Sequence, residues 1–334
     1  MTKKLTLEQA FNLAFAILTR NGVDEDGAKI LAERIKEAQR DGPESHGLAM
    51  LPNYVSSLAC GWANGKASPS WEMTTPSLLT VDGDNGFAPV ALTQALEPFK
   101  DMVSKAGIAA LLLRNAHHIS ALRADVERLA AAGFVALTGI TTRCWMVPWG
   151  GDQKILGTNP MAFACPRSDR PPLVWDQAAS VKAISDIRMA AETGEVYAQP
   201  VGLDLQGQPT CEAKSVAESN TVLPFGEHKG SAIALMIEVL AGALSGGHFS
   251  FEDNSPQIEG ATSANGGQIV IAIDPKVAYG EHFCERLEPL LAGFEANGSA
   301  RIPGDGRLER ARKIAQDGVS VAPDLWKSLR SLTQ

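Results

Sequence analysis

Between residues 78 and 140, apolar runs of strand length alternate with amphipathic stretches of helix length, and glycines mark the switches. The pattern predicts a strand over 78–82, a turn at Gly83-Asp84-Asn85-Gly86 and a helix from about Ala91. A strand over 108–114, a helix over 121–132 and a strand over 134–140 follow. Gly107 and Gly133 fall where a helix must turn into a strand. Further strands are expected over 173–176 and over 268–274, the run Gln-Ile-Val-Ile-Ala-Ile-Asp. The stretch 232–244 is almost wholly apolar and predicts a helix buried on most sides. Trp145, Trp149 and Trp175 are expected in the core. A middle built this way belongs to the α/β or α+β class.

The ends differ from the middle. Thr6 and Gln9 form a capping-box pattern, and Phe11, Ala14, Phe15 and Leu18 recur at helical spacing until Gly22. Asp24 caps a second helix carrying Ile30, Leu31, Ile35 and Ala38, stopped by Gly42-Pro43. The tail over 307–332 reads as charged amphipathic helix. Helical ends around a mixed middle predict two domains, which suits 334 residues. One is expected over 1–115 with 300–334, the other over 116–299.

Composition narrows the function. The 30 Lys and Arg against 38 Asp and Glu give a net charge of −8 with no basic stripe, which argues against nucleic-acid or anionic-membrane partners. No run approaches the length of a membrane span, and Met1-Thr2-Lys3-Lys4-Leu5 leads into a helix rather than a signal peptide. The five cysteines (Cys60, Cys144, Cys165, Cys211 and Cys284) are scattered and lack a C-x-x-C pair. That usage fits a reduced, cytoplasmic protein without a cysteine metal site.

Familiar motifs are missing: G-x-G-x-x-G after a strand, the P-loop, G-x-S-x-G and H-E-x-x-H. What remains is a set of loops. In Ser45-His46-Gly47, His46 is a candidate general acid, and the competing reading has it capping the next helix. Ser45 is too divergent from its neighbour to be activated by it. Asn115-Ala116-His117-His118-Ile119-Ser120 joins a strand to a helix N-terminus, where two histidines either line an anion site or simply hydrogen-bond the turn; no ligand spacing supports a metal. Gly226, Lys229 and Gly230 before the apolar helix offer a cradle for a pyrophosphate, or plain packing. Arg301-Ile302-Pro303-Gly304-Asp305-Gly306-Arg307 holds two forked cations that either clamp a phosphate or are solvated. Asp176 ends a strand and Asp186 follows ten residues on; each orients a histidine, binds a ribose hydroxyl or caps a helix.

Taken in order along nearly the whole chain, Ser45-His46-Gly47, the 115–120 loop, Leu156-Gly157-Thr158-Asn159-Pro160-Met161-Ala162 and Pro224-Phe225-Gly226-Glu227-His228-Lys229-Gly230 resemble the malate/L-lactate dehydrogenase family, the branch without a Rossmann fold. His117-His118, Asp125-Val126-Glu127, Asp176-Gln177-Ala178, Ala183-Ile184-Ser185-Asp186 and Gly246-Gly247-His248-Phe249-Ser250 look most like its Δ1-piperideine-2-carboxylate/Δ1-pyrroline-2-carboxylate reductases. The resemblance implies a homodimer binding NADPH on a largely antiparallel mixed sheet. The helical domain from both termini would serve substrate and dimerisation, and the 116–299 domain would bind NADPH. It implies reduction of a cyclic imine to L-pipecolate or L-proline, the alternative being a 2-hydroxy-acid dehydrogenase of malate, lactate or ureidoglycolate type acting on a 2-oxo acid.

Residue by residue, the resemblance makes His46 the proton donor, oriented by Ser45 and Asp186. Cofactor contacts fall on His118, Ile119, Ser120, Ala121 and Leu122, on Asp176, Gln177 and Ala178, on His228 and Lys229, and on the loop from Arg301 to Arg307. Thr158 is implied as a substrate contact. Two positions depart from the family pattern. Met50 stands where an arginine usually forks onto the substrate carboxylate, so Arg143 or Lys182 takes over that role or the substrate differs. Glu227 stands where glycine is common. A binding protein that has lost turnover is the rival class, and retention of Ser45, His46 and Asp186 together speaks against it.

Overall fold

The computed structural model describes residues 2–42 and 46–333, with backbone only at Glu281. Thr6 opens α1 (Leu7–Arg20) with the full reciprocal cap: its hydroxyl accepts from Gln9 N at 3.0 Å while Gln9 Oε1 accepts from Thr6 N at 2.9 Å. Asp24 caps α2 (Glu25–Asp41) through Gly27 N at 2.7 Å, and α3 (Leu51–Ala59) follows a short turn. A first strand, β1 (Lys3–Leu5), precedes these helices.

The middle contains β2 (Ser70–Thr75), β3 (Leu78–Phe87), α4 (Ala88–Ala106), β4 (Ile108–His117), α5 (Arg123–Ala131) and β5 (Val135–Ile140). Next come β6 (Cys144–Met146), β7 (Leu156–Gly157), β8 (Met161–Cys165), β9 (Leu173–Gln177), α6 (Ile184–Glu192), β10 (Gly202–Leu203), β11 (Pro209–Thr210) and α7 (Ala213–Ser219). α8 (His228–Ile237) runs on into a π-helical turn, Glu238–Ala243. The remainder is β12 (Asn265–Ile273), α9 (Pro275–Tyr279), α10 (Phe283–Glu295), α11 (Asp305–Asp317), β13 (Val319–Val321) and α12 (Pro323–Ser331).

Seven strands form the central sheet in the order β2-β3-β4-β12-β5-β8-β9, and only β3–β4 is parallel. This is the largely antiparallel mixed α/β sheet that the resemblance implied. Strand alternation sends Ala109, Leu111 and Leu113 of β4 into a core shared with α4 and α5. Leu112 and Ile269 point the other way, onto Ile237 and Ala241. The sheet is thus covered on one face by α4 and α5 and on the other by α8. Gly267 permits that contact, since a Cβ there would collide with the Ala241 carbonyl oxygen.

Several expectations are revised. Residues 83–86 are a bulge within β3, not a turn: the β3–β4 register slips between Asp82 and Gly86, and Asp84 and Asn85 adopt positive φ. The tail is not continuous helix, because Gly318 at φ 77° ends α11 and β13 pairs antiparallel with β1 before α12 begins. The 232–244 helix is not buried on most sides; Leu235 and Val239 are 58% and 52% exposed beside Met236 and Leu244. Trp149 is 48% exposed, and Trp145 is half-buried between two guanidinium groups rather than packed in a core. The expected domain boundary at residue 115 falls inside β4, and β2, β3 and β4 belong to the same sheet as β12. Around the terminal helices a separate apolar cluster joins Leu5, Ile17, Leu31 and Tyr54 to Val319, Val321 and Leu329.

Candidate active site

His46 follows α2 and is held half-buried beside charged groups from three other places in the chain. Burial lowers its pKa below the ordinary imidazole value; Asp176 and Asp186 oppose that, while His118 and Arg123 reinforce it. Asp176 lies at the end of β9, where its carboxylate accepts from Arg123 N at 3.3 Å. Asp186 stands in the first turn of α6, and its side chain lines a cleft of about 330 Å³ with Gln177, Ala178, Ser180, Lys182 and Phe225. Ser45 and Pro43 lie outside the described residues.

The two adjacent histidines part company. His117 ends β4 fully buried, its ring nitrogens meeting Ser263 Oγ at 3.1 Å and Asn85 Oδ1 at 3.0 Å, and burial pushes its pKa down to about 4. It is a core histidine and lines no anion site, because β4 runs three residues further than the hydropathy pattern suggests. His118 turns toward the site. Its Nε2 lies 3.0 Å from Asp125 Oδ2, and since an ionised carboxylate only accepts, that nitrogen carries the hydrogen. Asp125 is itself completely enclosed: Arg34 Nη2 donates at 3.0 Å and Gln268 Nε2 at 3.0 Å. Burial alone would raise the Asp125 carboxyl, and the Arg34 and His118 charges hold it below its usual range.

A second charged cluster sits beside the first. Asp41, at the end of α2, receives Arg40, Arg123 and Arg307 at 2.6, 3.4 and 2.9 Å. Arg307 also meets Glu127 at 2.9 Å and is buried. Its guanidinium therefore ties α11 to α2 and α5 and is not a second open cation in the 301–307 loop. Arg301 and Pro303 are exposed, Ile302 is buried, and Asp305 and Gly306 begin α11. Gly304 packs so tightly on the Val174 carbonyl that a Cβ would sit 2.5 Å from it, which sets this loop against β9 just before Asp176.

Of the 118–122 segment, Ile119 and Leu122 belong to the two apolar cores and Ala121 is buried. Ser120 is different: its hydroxyl is buried and has no hydrogen-bond partner among the described residues. The helix expected from 121 begins instead at Arg123. At the N-terminus of α8, His228 and Lys229 are exposed, no side chain caps the helix, and Glu227 takes a left-handed φ of 62°.

Around Thr158, a second network is held by neutral donors about the Glu238 carboxylate. Asn159 is fully buried, and its Nδ2 donates to Glu238 Oε1 at 2.7 Å. Glu238 Oε2 accepts from Ser250 N at 3.0 Å, and Asn159 Oδ1 accepts from Thr142 N at 3.2 Å. This fixes Thr158, whose hydroxyl lies 3.3 Å from that of Thr142 and whose carbonyl accepts from Ala179 N at 2.7 Å. Thr158 is thereby attached to the wall carrying Ala178 and Ser180. Met50, after His46, accepts a hydrogen bond at Sδ from Asn53 Nδ2 at 3.4 Å. Sequence reading misses Arg123 and Glu238; it names Asp125 and Asn159 only within matching stretches, and nothing local marks any of them as part of the site.

Residues 5–330 match the model of the family described as malate/L-lactate dehydrogenase. The chain belongs to this family. A Δ1-pyrroline-2-carboxylate/Δ1-piperideine-2-carboxylate reductase of Pseudomonas syringae pv. tomato is 41% identical over 325 residues, covering 97% of this chain and 95% of the relative. One of Pseudomonas putida is 40% identical over 321 residues, 96% and 94% of the two chains. The crystal structure of a Δ1-piperideine-2-carboxylate reductase from Pseudomonas syringae superposes with a TM-score of 0.95 at 39% identity, over 99% of this chain and 100% of that one. Relatives in the malate/L-lactate dehydrogenase family are thus named as reductases and dehydrogenases, and the chain is an oxidoreductase by descent. Among the described residues, no helix is long and apolar enough to cross a membrane.

Proposed function

We propose that the chain is an NADPH-dependent reductase of cyclic imine 2-carboxylates, forming L-pipecolate from Δ1-piperideine-2-carboxylate and L-proline from Δ1-pyrroline-2-carboxylate. The observation that carries the reading is the meeting of His46 with Asp176, His118 and Asp186 beside one cleft. The fit of a dinucleotide rests on three features: the partnerless Ser120 hydroxyl, the uncapped α8 N-terminus with Lys229, and the loop at Gly304 laid against β9. Residues 118–122, Asp176, Gln177, Ala178, His228, Lys229 and the open part of the loop from Arg301 to Gly306 would hold it, with Arg307 bracing that loop from behind. The bound cofactor supplies a hydride.

The chain's own work is to orient and to manage the proton. His46 in its charged form carries the proton that the product requires, and the carboxylates of Asp176 and Asp186 favour that form. Burial opposes them, so the donor form is lost as pH rises through a lowered pKa. The rate of reduction should therefore fall along a limb whose apparent pKa lies below the ordinary imidazole value, read from kcat against pH. The exposed apolar face of α8, Leu235, Met236, Val239 and Leu244, supports a homodimer. The five scattered cysteines, with no C-x-x-C pair, suit a cytoplasmic enzyme.

The test is NADPH oxidation, followed by absorbance, with both cyclic imines, pyruvate and oxaloacetate in parallel. Turnover of the imines supports the reading, and turnover of the oxo acids alone moves the chain to the 2-hydroxy-acid dehydrogenases. His46→Ala should lower kcat by about 10²–10⁴-fold while NADPH still binds. Failure of any nicotinamide nucleotide to raise the unfolding temperature would count against both oxidoreductase readings.

A further inference from the structure

Met50 removes a fork from the family's usual place, yet a 2-carboxylate substrate still brings a negative charge into the cleft. Arg143 precedes β6, and the β6–β7 register pairs Cys144 with Gly157, so Arg143 and Thr158 are the next residues outward on the two paired chains. Thr142, beside it, meets the Thr158 hydroxyl. Arg143 is held in place from behind: its Nε faces Asp253 Oδ2 at 3.6 Å, and Asp253 is itself anchored by Ser255 N at 3.0 Å. Beyond that ion-pair contact, neither Arg143 Nε nor Asp253 Oδ2 has a hydrogen-bond partner among the described residues. The planar group lies 5.2 Å from the centre of the Trp145 ring, and Arg188 lies 5.1 Å from the same ring.

Charge does not balance in this cluster. Arg188 hydrogen-bonds only the neutral Asn220 Oδ1, at 2.8 Å, and Asp253 is the one carboxylate in ion-pair range of either guanidinium among the described residues. Two cations thus share one indole and one anion. The mutual cost is visible at Arg188, which burial and then Arg143 hold below its ordinary pKa. An incoming carboxylate supplies the missing charge and finds a planar fork already aimed by Asp253. Lys182, which lines the cleft with Asp186, is exposed and rests over Tyr197 at 5.4 Å.

We propose that Arg143 receives the substrate carboxylate in this chain, beside Thr158, in place of the arginine lost at Met50. The assignment rests on the functional reading above and adds a specificity-determining residue to it. Steady-state kinetics with Δ1-piperideine-2-carboxylate and with its carboxamide test it, together with NADPH affinity by fluorescence. Arg143→Ala should raise KM for the carboxylate roughly 10- to 100-fold. It should erase the preference for carboxylate over amide, with kcat and NADPH affinity nearly unchanged. Arg143→Lys, which keeps a charge but not the fork, should give an intermediate KM and carries the test if the alanine variant does not fold. Met50→Arg should restore part of the affinity lost in Arg143→Ala.

An unmoved KM in the Arg143 variants, a loss of acid and amide alike, or a loss seen in Lys182→Ala instead would each overturn the assignment. In all three cases a wild type that turns over the imine leaves the functional reading standing. A wild type that reduces neither imine nor oxo acid removes both.

Discussion

Two networks beside the candidate site, a charged wall and a neutral one, are built on opposite electrostatic plans. On the side of α2, α5 and α11, Arg34, Asp125, Asp41, Arg123 and Arg307 form buried ion pairs in which every charge depends on another. On the side of β7 and α8, the buried carboxylate of Glu238 is satisfied by the neutral donors of Asn159 and Ser250. Buried ion pairs contribute little net stability, but removal of one partner strands the other. A neutral network loses less when a member is altered, and it positions atoms more finely. The charged wall therefore sets the field at His46, and the neutral wall sets the place of Thr158.

The contrast can be broken at four points. Asp125→Ala should destabilise the fold by about 3–5 kcal/mol, because buried Arg34 loses its hydrogen-bonded anion and keeps only Glu37 at 3.6 Å; chemical denaturation measures it. Acid should act on His117 next. Its folded pKa of about 4 lies below the ordinary value of 6.5, so the stability it contributes is present above pH 6.5 and is lost as pH falls toward 4. The loss should be about 3 kcal/mol, and His117→Gln should flatten that limb. Glu238→Gln turns one acceptor into a donor facing another donor and should cost about 1–3 kcal/mol while raising KM through Thr158. Arg301→Ala should change stability by less than about 0.5 kcal/mol yet weaken NADPH binding, whereas Arg307→Ala should destabilise the chain outright.

What could be read from sequence divides along the same line. The caps at Thr6 and Asp24 lie three residues from their partners, and the apolar runs of β4, β5 and β12 carry their own period, so local rules find them. His46 and Asp186 enter as candidates from their place in the sequence, and the motif resemblance gives them their expected roles. The charged wall leaves no local signal: Asp41 and Arg307 are 266 residues apart, and Arg34 and Asp125 are 91 apart. Arg307 then reads as a free fork because its partners belong to other elements. α8 reads as buried because hydropathy reports what is apolar and not what covers it. β13 is only three residues long, and its pairing with β1 is invisible to a window that scans for helix.

The joint at Asp41 also fixes an order of events. Its partners come from the middle and from the far end of the chain, so during synthesis this carboxylate is made first and completed last. Until α11 arrives, the end of α2 carries Asp41 without the arginine that braces the 301–307 loop against β9. The proposed nucleotide site is then a late product of folding, assembled when the final helices close over a sheet that is already in place.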